Sequence, residues 1–518
     1  MYLFSTLSTV FNNSFYYSES FVLFIGFFLL FLLLLVIRFI HNIIKITKTV
    51  NNNIINFGVF LTKHEIETLL WLLLSVLISR FVISYGNVSS GFRSPEKTIA
   101  LYILGADFQT GVIMPIMYMI RGNNFYNIAA SYGPAISITL APIIKSMLKQ
   151  GICQYDNNIG CLSVIYPWLV SIIGIVYIFL ICVLKQTNRF REKTMILLGI
   201  IFLGISGAFA LDRGNLDLLF SGIMSIYVAL FLSGKKINVF MTSCLGLILG
   251  YIISAKIFLV IFIVPFLLFV PNPLIFGIFL TGTWIVLSYV PALYGVVSGP
   301  TVLFKTAFIA SKATSNLFLV PVMLSYNDSL QATASLVSVC RQIRSCNREN
   351  FLELISYYFV IVILFCSVFL LPLVDFVVDI LRKIRKISVQ VLVIMKNIRP
   401  SSWAIIILCI GTAIINTIPE STYVYRIVYS LPVIILLLAY TEVNRNSKAY
   451  LMLSIVCFSI KNMWTGQLVN PLVFSVFDPR ILNVFLFLHY YFLIKSGLAI
   501  FAEDFIFQAK KFKLYEKN

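Results

Sequence analysis

Residues 163–184, SVIYPWLVSIIGIVYIFLICVL, form one long run without a charged side chain. Such a run crosses a hydrocarbon core of about 30 Å only as a helix, because lipid offers no partner to open backbone groups. Similar apolar stretches recur from Phe21 to Ile500, and 11% of the 518 residues are charged, against about 25% in soluble domains. The sequence therefore predicts an all-α fold, a polytopic transmembrane helical bundle without a large soluble domain.

The apolar runs and the charges between them predict the topology. Residues 1–20 contain no Lys or Arg, so we expect the N-terminus outside and, after an odd number of crossings, the Lys-rich C-terminus in the cytoplasm. The first run lacks a small-residue cleavage site, which indicates a retained helix. Thirteen spans are predicted within a single membrane domain of residues 1–518: 21–39, 66–86, 163–184, 194–211, 216–233, 237–254, 257–270, 274–292, 351–372, 402–416, 425–441, 449–463 and 480–500.

The net charge of +19 has two possible explanations, binding to nucleic acid or the collection of basic residues on one side of a membrane. The basic runs lie between spans, on the side that this topology assigns to the cytoplasm, where Lys and Arg collect in membrane proteins. No aromatic stacking surface accompanies them in a soluble domain. We therefore expect membrane lipids as neighbours and no nucleic-acid partner.

Two large segments fall outside the cytoplasm, 87–162 and 293–350. Within the first, residues 109–121 are apolar but short, which favours a helix lying in the membrane interface, and residues 135–150 form either a short span or another such helix. A reaction on this side has no access to nucleotide sugars or ATP, and the sequence contains no Walker-type phosphate loop. The membrane itself must then deliver the substrate.

The nine cysteines do not have the spacing of a disulfide framework. Cys153 and Cys161 share one outer loop, Cys340 and Cys346 another, and in an oxidising compartment each pair either closes a local disulfide or stays reduced. No Cys/His cluster has zinc spacing. The sequence predicts no metal site and no cofactor.

Four polar features lie at the outer ends of the predicted spans. Asp107 is either a general base or a helix cap. The turn from Asp212 to Asp217 either offers Arg213 to a phosphate or satisfies its own charges. Lys256 either snorkels or meets an anion, and Arg426 either meets the same anion or anchors its helix.

The order of these motifs resembles glycosyltransferase family 87 and related bacterial transferases. The resemblance covers about residues 100 to 440. Its motifs are Asp107-Phe108, Arg121-Gly122-Asn123-Asn124-Phe125-Tyr126, Tyr132-Gly133-Pro134, Asp212-Arg213-Gly214-Asn215-Leu216-Asp217, Ser254-Ala255-Lys256-Ile257, Tyr326-Asn327-Asp328-Ser329-Leu330 and Tyr425-Arg426 with Pro432. Tyr-Gly-Pro stands where the family has Tyr-Pro-Pro, Asn124-Phe125 where it has Asn-Pro, and the outer-loop histidine of mycobacterial mannosyltransferase members has no counterpart.

The resemblance implies a GT-C fold and an inverting transfer from a polyprenyl-phosphate sugar to a lipid-linked or surface glycan, such as O-antigen, on the outer face of the bacterial inner membrane. Asp107 would be the base. Donor contacts would come from Arg213, Asn215, Asp217, Lys256 and Arg426, and acceptor or loop contacts from Arg121, Tyr126, Tyr132 and Asn327. Two other functions fit the residues: a glycan polymerase, given Arg341, Arg344 and Arg348, and a transporter or flippase of a lipid-linked glycan.

Overall fold

The structure, a computed structural model, consists of helices over the described part of the chain, which contains no strand. This confirms the all-α class for these residues. The chain divides into two compact units, Met1–Phe57 and Gly58–Asn518, and nearly all described residues belong to the second. The described residues are 53–89, 105, 108–121, 134–154, 159–184, 188–212, 214–233, 237–293, 368–377, 391–417, 424–441, 444–463 and 479–515.

The helices are numbered in chain order, and residues outside the described ranges separate several of them. The first ten are α1 (Glu65–Ser89), α2 (Met114–Ile120, preceded by a π-helical turn Gln109–Ile113), α3 (Pro134–Lys149), α4 (Ile159–Leu184), α5 (Asn188–Leu203), α6 (Ile205–Asp212), α7 (Asp217–Leu232), α8 (Val239–Ala255), α9 (Ile263–Phe269, preceded by a 3-10 turn Ile257–Phe262) and α10 (Pro273–Leu293). The others are α11 (Val368–Val377), α12 (Val391–Lys396), α13 (Pro400–Thr417), α14 (Ser430–Tyr440, preceded by a 3-10 helix Val424–Tyr429), α15 (Arg445–Lys461) and α16 (Pro479–Tyr515).

The predicted spans coincide with helices wherever they fall on described residues. The predicted span 194–211 is divided into α5 and α6 at Gly204, because the backbone N–H of Ile205 donates to the carbonyl of Asn462 at 2.9 Å and leaves the helical ladder. Residues 109–121 and 135–150 are helical as expected. The first predicted span, 21–39, and most of the ninth, residues 351–367, lie outside the described residues.

Two described helices, Ile159–Leu184 and Val484–Lys511, are long and apolar enough to cross a membrane. Seven further apolar helical segments measure 10–17 residues over the described side chains. The helical positions are thus confirmed, whereas a bundle of thirteen spans stays a prediction.

Helices α7 and α8 run antiparallel, with the first residue of α7 beside the residue that follows α8. The hydroxyl of Tyr227 on α7 donates to the carbonyl of Leu245 on α8 at 2.5 Å, which pairs these two helices antiparallel. On α8, Gly246 and Gly250 face α10, where a Cβ at either position would come within 2.6 Å of the carbonyl of Phe276 or Leu280. This G-x-x-x-G spacing lets the two helix backbones touch, a packing mode common between membrane helices.

The basic runs meet at one end of the helices. One carboxylate oxygen of Glu65 pairs with the ammonium groups of Lys193, at 2.8 Å, and Lys448, at 3.0 Å, so the first turns of α1, α5 and α15 share this end. Asp504 on α16 accepts the backbone N–H of Arg399 at 2.9 Å and so caps α13. The turn between α6 and α7 and the residue after α8 lie at the other end.

A disulfide joins Cys153, beyond α3, to Cys161, near the start of α4. Of the two alternatives for this pair, the structure therefore has the closed one. Both residues are buried. Cys340 and Cys346 lie outside the described residues.

Candidate functional site

The turn between α6 and α7 is built around Gly214. The N–H groups of Gly214 and Asn215 donate to the carbonyls of Leu211, at 2.9 Å, and Ala210, at 2.7 Å. This bonding pattern ends α6 in a Schellman motif, and Gly214 supplies the positive φ, +65°, that the motif requires. The side-chain oxygen of Asn215 then accepts the N–H of Asp217 at 2.9 Å and caps the start of α7.

Asp217 and Lys256 form a buried ion pair. Lys256 Nζ lies 2.5 Å from Asp217 Oδ1, and the two side chains are 4% and 0% exposed. The pair forms because α7 and α8 run antiparallel, which brings the first residue of α7 beside the residue that follows α8. The predicted donor residues Asn215, Asp217 and Lys256 are therefore neighbours.

Tyr429 completes the cluster. Its hydroxyl donates to the same oxygen of Asp217 at 2.8 Å, and its side chain is fully buried. The second carboxylate oxygen, Oδ2, is buried without a hydrogen-bond partner in the described part of the chain. Asp217 thus holds one hydroxyl and one ammonium group through Oδ1, and among the described residues nothing binds its Oδ2.

Arg426 lies on the same 3-10 helix as Tyr429, Val424–Tyr429. In a 3-10 helix, side chains three residues apart lie on the same side, so Arg426 shares the side of Tyr429 that reaches Asp217. Arg426 is also buried, with 4% of its surface exposed. Asp217, Lys256 and Arg426 are thus three buried charged residues at this end of the helices.

The first outer segment packs against the Gly214 turn. A Cβ on Gly214 would lie 2.9 Å from Cβ of Phe108 and 3.2 Å from Cα of Gly105. Gly105 also has a positive φ, +73°, and the hydroxyl of Tyr166 on α4 donates to the carbonyl of Leu211 at 2.7 Å. The described residues on either side of position 107 therefore contact the turn that leads to Asp217.

The remaining predicted residues are less informative. Arg121, at the end of α2, is exposed. Five predicted residues lie outside the described residues: Asp107, Tyr126, Tyr132, Arg213 and Asn327. The roles proposed for them stay predictions.

Sequence reasoning missed Tyr429, which binds Asp217, and Tyr166, which binds the carbonyl of Leu211 at the end of α6. Tyr429 had one signal, its spacing of three residues from Arg426 on a segment that carries a predicted contact. Tyr166 had none, because it lies inside an apolar run where a tyrosine resembles any packing residue. Both were found only through their hydrogen bonds.

A second polar cluster lies deeper in the bundle. His489 on α16 is fully buried, and its ring nitrogens contact the hydroxyls of Ser454 at 2.8 Å and Ser430 at 2.9 Å. Lys495, two turns further, pairs with Asp375. The contacts of His489 join α14, α15 and α16 in the interior, whereas the Lys495 pair joins α16 to α11 at Asp375, whose side chain is 34% exposed.

Comparison of the chain with known protein families, curated proteins and solved structures finds no match.

Proposed function

We propose that this chain is an inverting membrane glycosyltransferase that moves a sugar from a polyprenyl-phosphate donor to a lipid-linked or surface glycan, such as O-antigen, outside the cytoplasm. The observation that carries the proposal is the contact of Gly105 and Phe108 with the Gly214 turn, beside the cluster of Asp217, Lys256 and Arg426. It brings the segment of the predicted base next to the predicted donor residues.

A membrane location is part of the proposal and draws on the exposed surface. Large apolar side chains line the outside of several helices, among them Trp71 and Phe81 on α1 and Trp168 and Ile175 on α4, each more than 60% exposed. Contiguous apolar surface of this kind is unusual on soluble proteins and normal on lipid-facing helices. We infer about thirteen spans in the bacterial inner membrane, with a GT-C arrangement.

The orientation follows from the two ends of the bundle. The end that holds Lys193, Lys448 and Arg399 is the one we assign to the cytoplasm, since basic residues collect there. The Asp217 cluster and the Cys153–Cys161 disulfide then belong to the outer side, and disulfides persist in such oxidising compartments.

The proposed residues account for the proton and the leaving group of the reaction. Asp107 takes the proton of an acceptor hydroxyl while its oxygen attacks the anomeric carbon of the donor sugar. The bond from that carbon to the phosphate oxygen breaks, and polyprenyl phosphate leaves with the electron pair. Arg426 and Arg213 stabilise the charge on the leaving phosphate.

Lys256 should bind a phosphate less strongly than an unpaired cation would. Because Asp217 already neutralises it at 2.5 Å, its attraction for a phosphate is weakened. We assign the pair to holding the turn and the 3-10 helix in place, and the direct phosphate contact chiefly to the arginines.

One experiment tests the proposal. Purified protein in liposomes is given a radiolabelled polyprenyl-phosphate sugar together with a lipid-linked oligosaccharide. We expect label in the oligosaccharide and free polyprenyl phosphate in equal amounts. Donor that stays intact with a range of sugars and acceptors would contradict a transferase.

A second candidate function, transport of a lipid-linked glycan, is favoured by the buried His489 and the Lys495–Asp375 pair, because ionisable groups inside a membrane bundle often serve ion coupling. His489→Gln separates the two functions. It should spare sugar transfer in a transferase and abolish glycan translocation in an ion-coupled carrier.

A further inference from the structure

We propose that Tyr166 is a positioning residue that holds the segment before Asp107 and the turn after Arg213 in register. This inference rests on the proposed function, because the register matters for catalysis only if these two segments carry the base and the donor contact. Tyr166 belongs to α4, outside every motif by which the site was predicted.

The side chain of Tyr166 touches both segments. Its hydroxyl donates to the carbonyl of Leu211 at 2.7 Å. Its ring carbon Cδ2 lies 3.2 Å from the position of a Cβ on Gly105 and 3.3 Å from that of a Cβ on Gly214. One aromatic ring thus packs on two glycines that belong to different parts of the chain.

The two segments meet at Gly105 and Gly214, and neither glycine has a side chain that could pack against the other segment. The Tyr166 ring supplies that packing. Both glycines have a positive φ, which disfavours any other residue, and their backbones come close enough that a Cβ on Gly214 would lie 3.2 Å from Cα of Gly105. Within the described residues, Phe108 is the other side chain that meets Gly214 at this contact.

Tyr166 is itself firmly placed. It lies five residues after Cys161, which the disulfide to Cys153 fastens to the end of α3. Leu162, on the same helix end, also packs on Gly105, where a Cβ would lie 2.7 Å from its Cδ1. The start of α4 is therefore a covalently fixed support for the two loops.

The expected functional effect follows from geometry. Asp107 is two residues beyond Gly105, and Arg213 is one residue before Gly214. A shift of about 1 Å between reacting groups costs about 100-fold in rate. Loosening the contact should therefore lower kcat and change the donor KM little.

Hydrogen exchange measures the contact without any assumption about activity. Tyr166→Ala should raise the exchange rate of the amides of Gln109 and Asn215, which donate to Gly105 and Ala210, about tenfold or more. Tyr166→Phe keeps the ring and should raise only the exchange near Asn215. Tyr177 is the matched control, because it lies on the same helix and donates to the carbonyl of Leu218 at 2.9 Å.

The outcomes separate the two proposals. Unchanged exchange in Tyr166→Ala, or an equal rise in Tyr177→Ala, would overturn the positioning role whatever the activity. The positioning role would also be overturned if the wild-type protein is active and the kcat of Tyr166→Ala lies within twofold of the wild-type kcat. A wild-type protein inactive on every donor would instead overturn the proposed function, and the exchange result would still decide whether Tyr166 holds the loops.

Discussion

Lys256 Nζ lies 2.5 Å from Asp217 Oδ1 in the interior of the protein, where neither side chain meets appreciable solvent. A buried pair is costly to desolvate, but each partner removes the penalty that the other would suffer alone. The first residue of α7 and the first residue after α8 are thereby tied to each other.

Single substitutions in this pair should destabilise more than the double substitution. Asp217→Asn or Lys256→Met leaves a buried charge without its partner and should cost about 3–5 kcal/mol. Together they should cost clearly less than the sum. Chemical unfolding in detergent measures the cycle, with Lys448→Gln as the control, since that lysine is more exposed and its loss should cost about 1 kcal/mol or less. Additive single effects would contradict a coupled pair.

Tyr429→Phe should lower the free energy of unfolding by about 1.5–3 kcal/mol, because the lost hydroxyl donates to a charged oxygen. Tyr490→Phe is the matched control. This equally buried tyrosine is 3.4 Å from the hydroxyl of Ser430, a long contact between neutral groups. We expect a smaller loss there, and equal losses would show that Asp217 gains little from Tyr429.

The sequence predicts this cluster only in part. The apolar runs place the helices, and the antiparallel order of α7 and α8 follows from the short connection between them, so Asp217 and Lys256 are expected near each other. Tyr429 reaches Asp217 across 212 positions of sequence, and such a contact depends on how α14 packs and not on any local pattern.

The division of the predicted span 194–211 has the same cause. Gly204 permits a break, but a glycine inside an apolar helix is often tolerated. The break occurs because Asn462, at the far end of α15, binds both the backbone of Ile205 and the hydroxyl of Ser206. Local sequence predicts well where a helix forms, but it predicts poorly which other helices that helix will contact.

Gly214→Ala should destabilise the protein by about 1–3 kcal/mol from the backbone conformation alone. The new methyl group would also meet Cβ of Phe108 at 2.9 Å, so we expect the two outer segments to separate. Gly282→Ala is the control: this glycine lies in α10 with open space around it, and alanine should stabilise the helix by up to about 1 kcal/mol. Thermal unfolding of both variants checks the difference. A neutral Gly214→Ala would mean that the turn tolerates a side chain.

Cysteine labelling tests the orientation. Lys149 and Lys511 are both exposed, and the proposed topology assigns Lys149 to the outside and Lys511 to the cytoplasm. In intact cells, a membrane-impermeant maleimide should modify Lys149→Cys and leave Lys511→Cys unmodified until the membrane is permeabilised, with the wild-type chain giving the background. The reverse pattern would place the Asp217 cluster on the cytoplasmic side and remove the argument for a lipid-linked donor.

Asp107→Asn tests the proposed chemistry most directly. Asparagine has nearly the same shape as aspartate but accepts no proton, and loss of a general base lowers rates about 10²- to 10⁴-fold. We expect a loss of kcat in that range, with unchanged expression and thermal unfolding, because the contacts of Gly105 and Phe108 with Gly214 do not involve the carboxylate. Glu192→Gln, an exposed carboxylate on α5 at the opposite end, serves as control and should retain full activity. If Asp107→Asn turned over at the wild-type rate, the base would have to be another group.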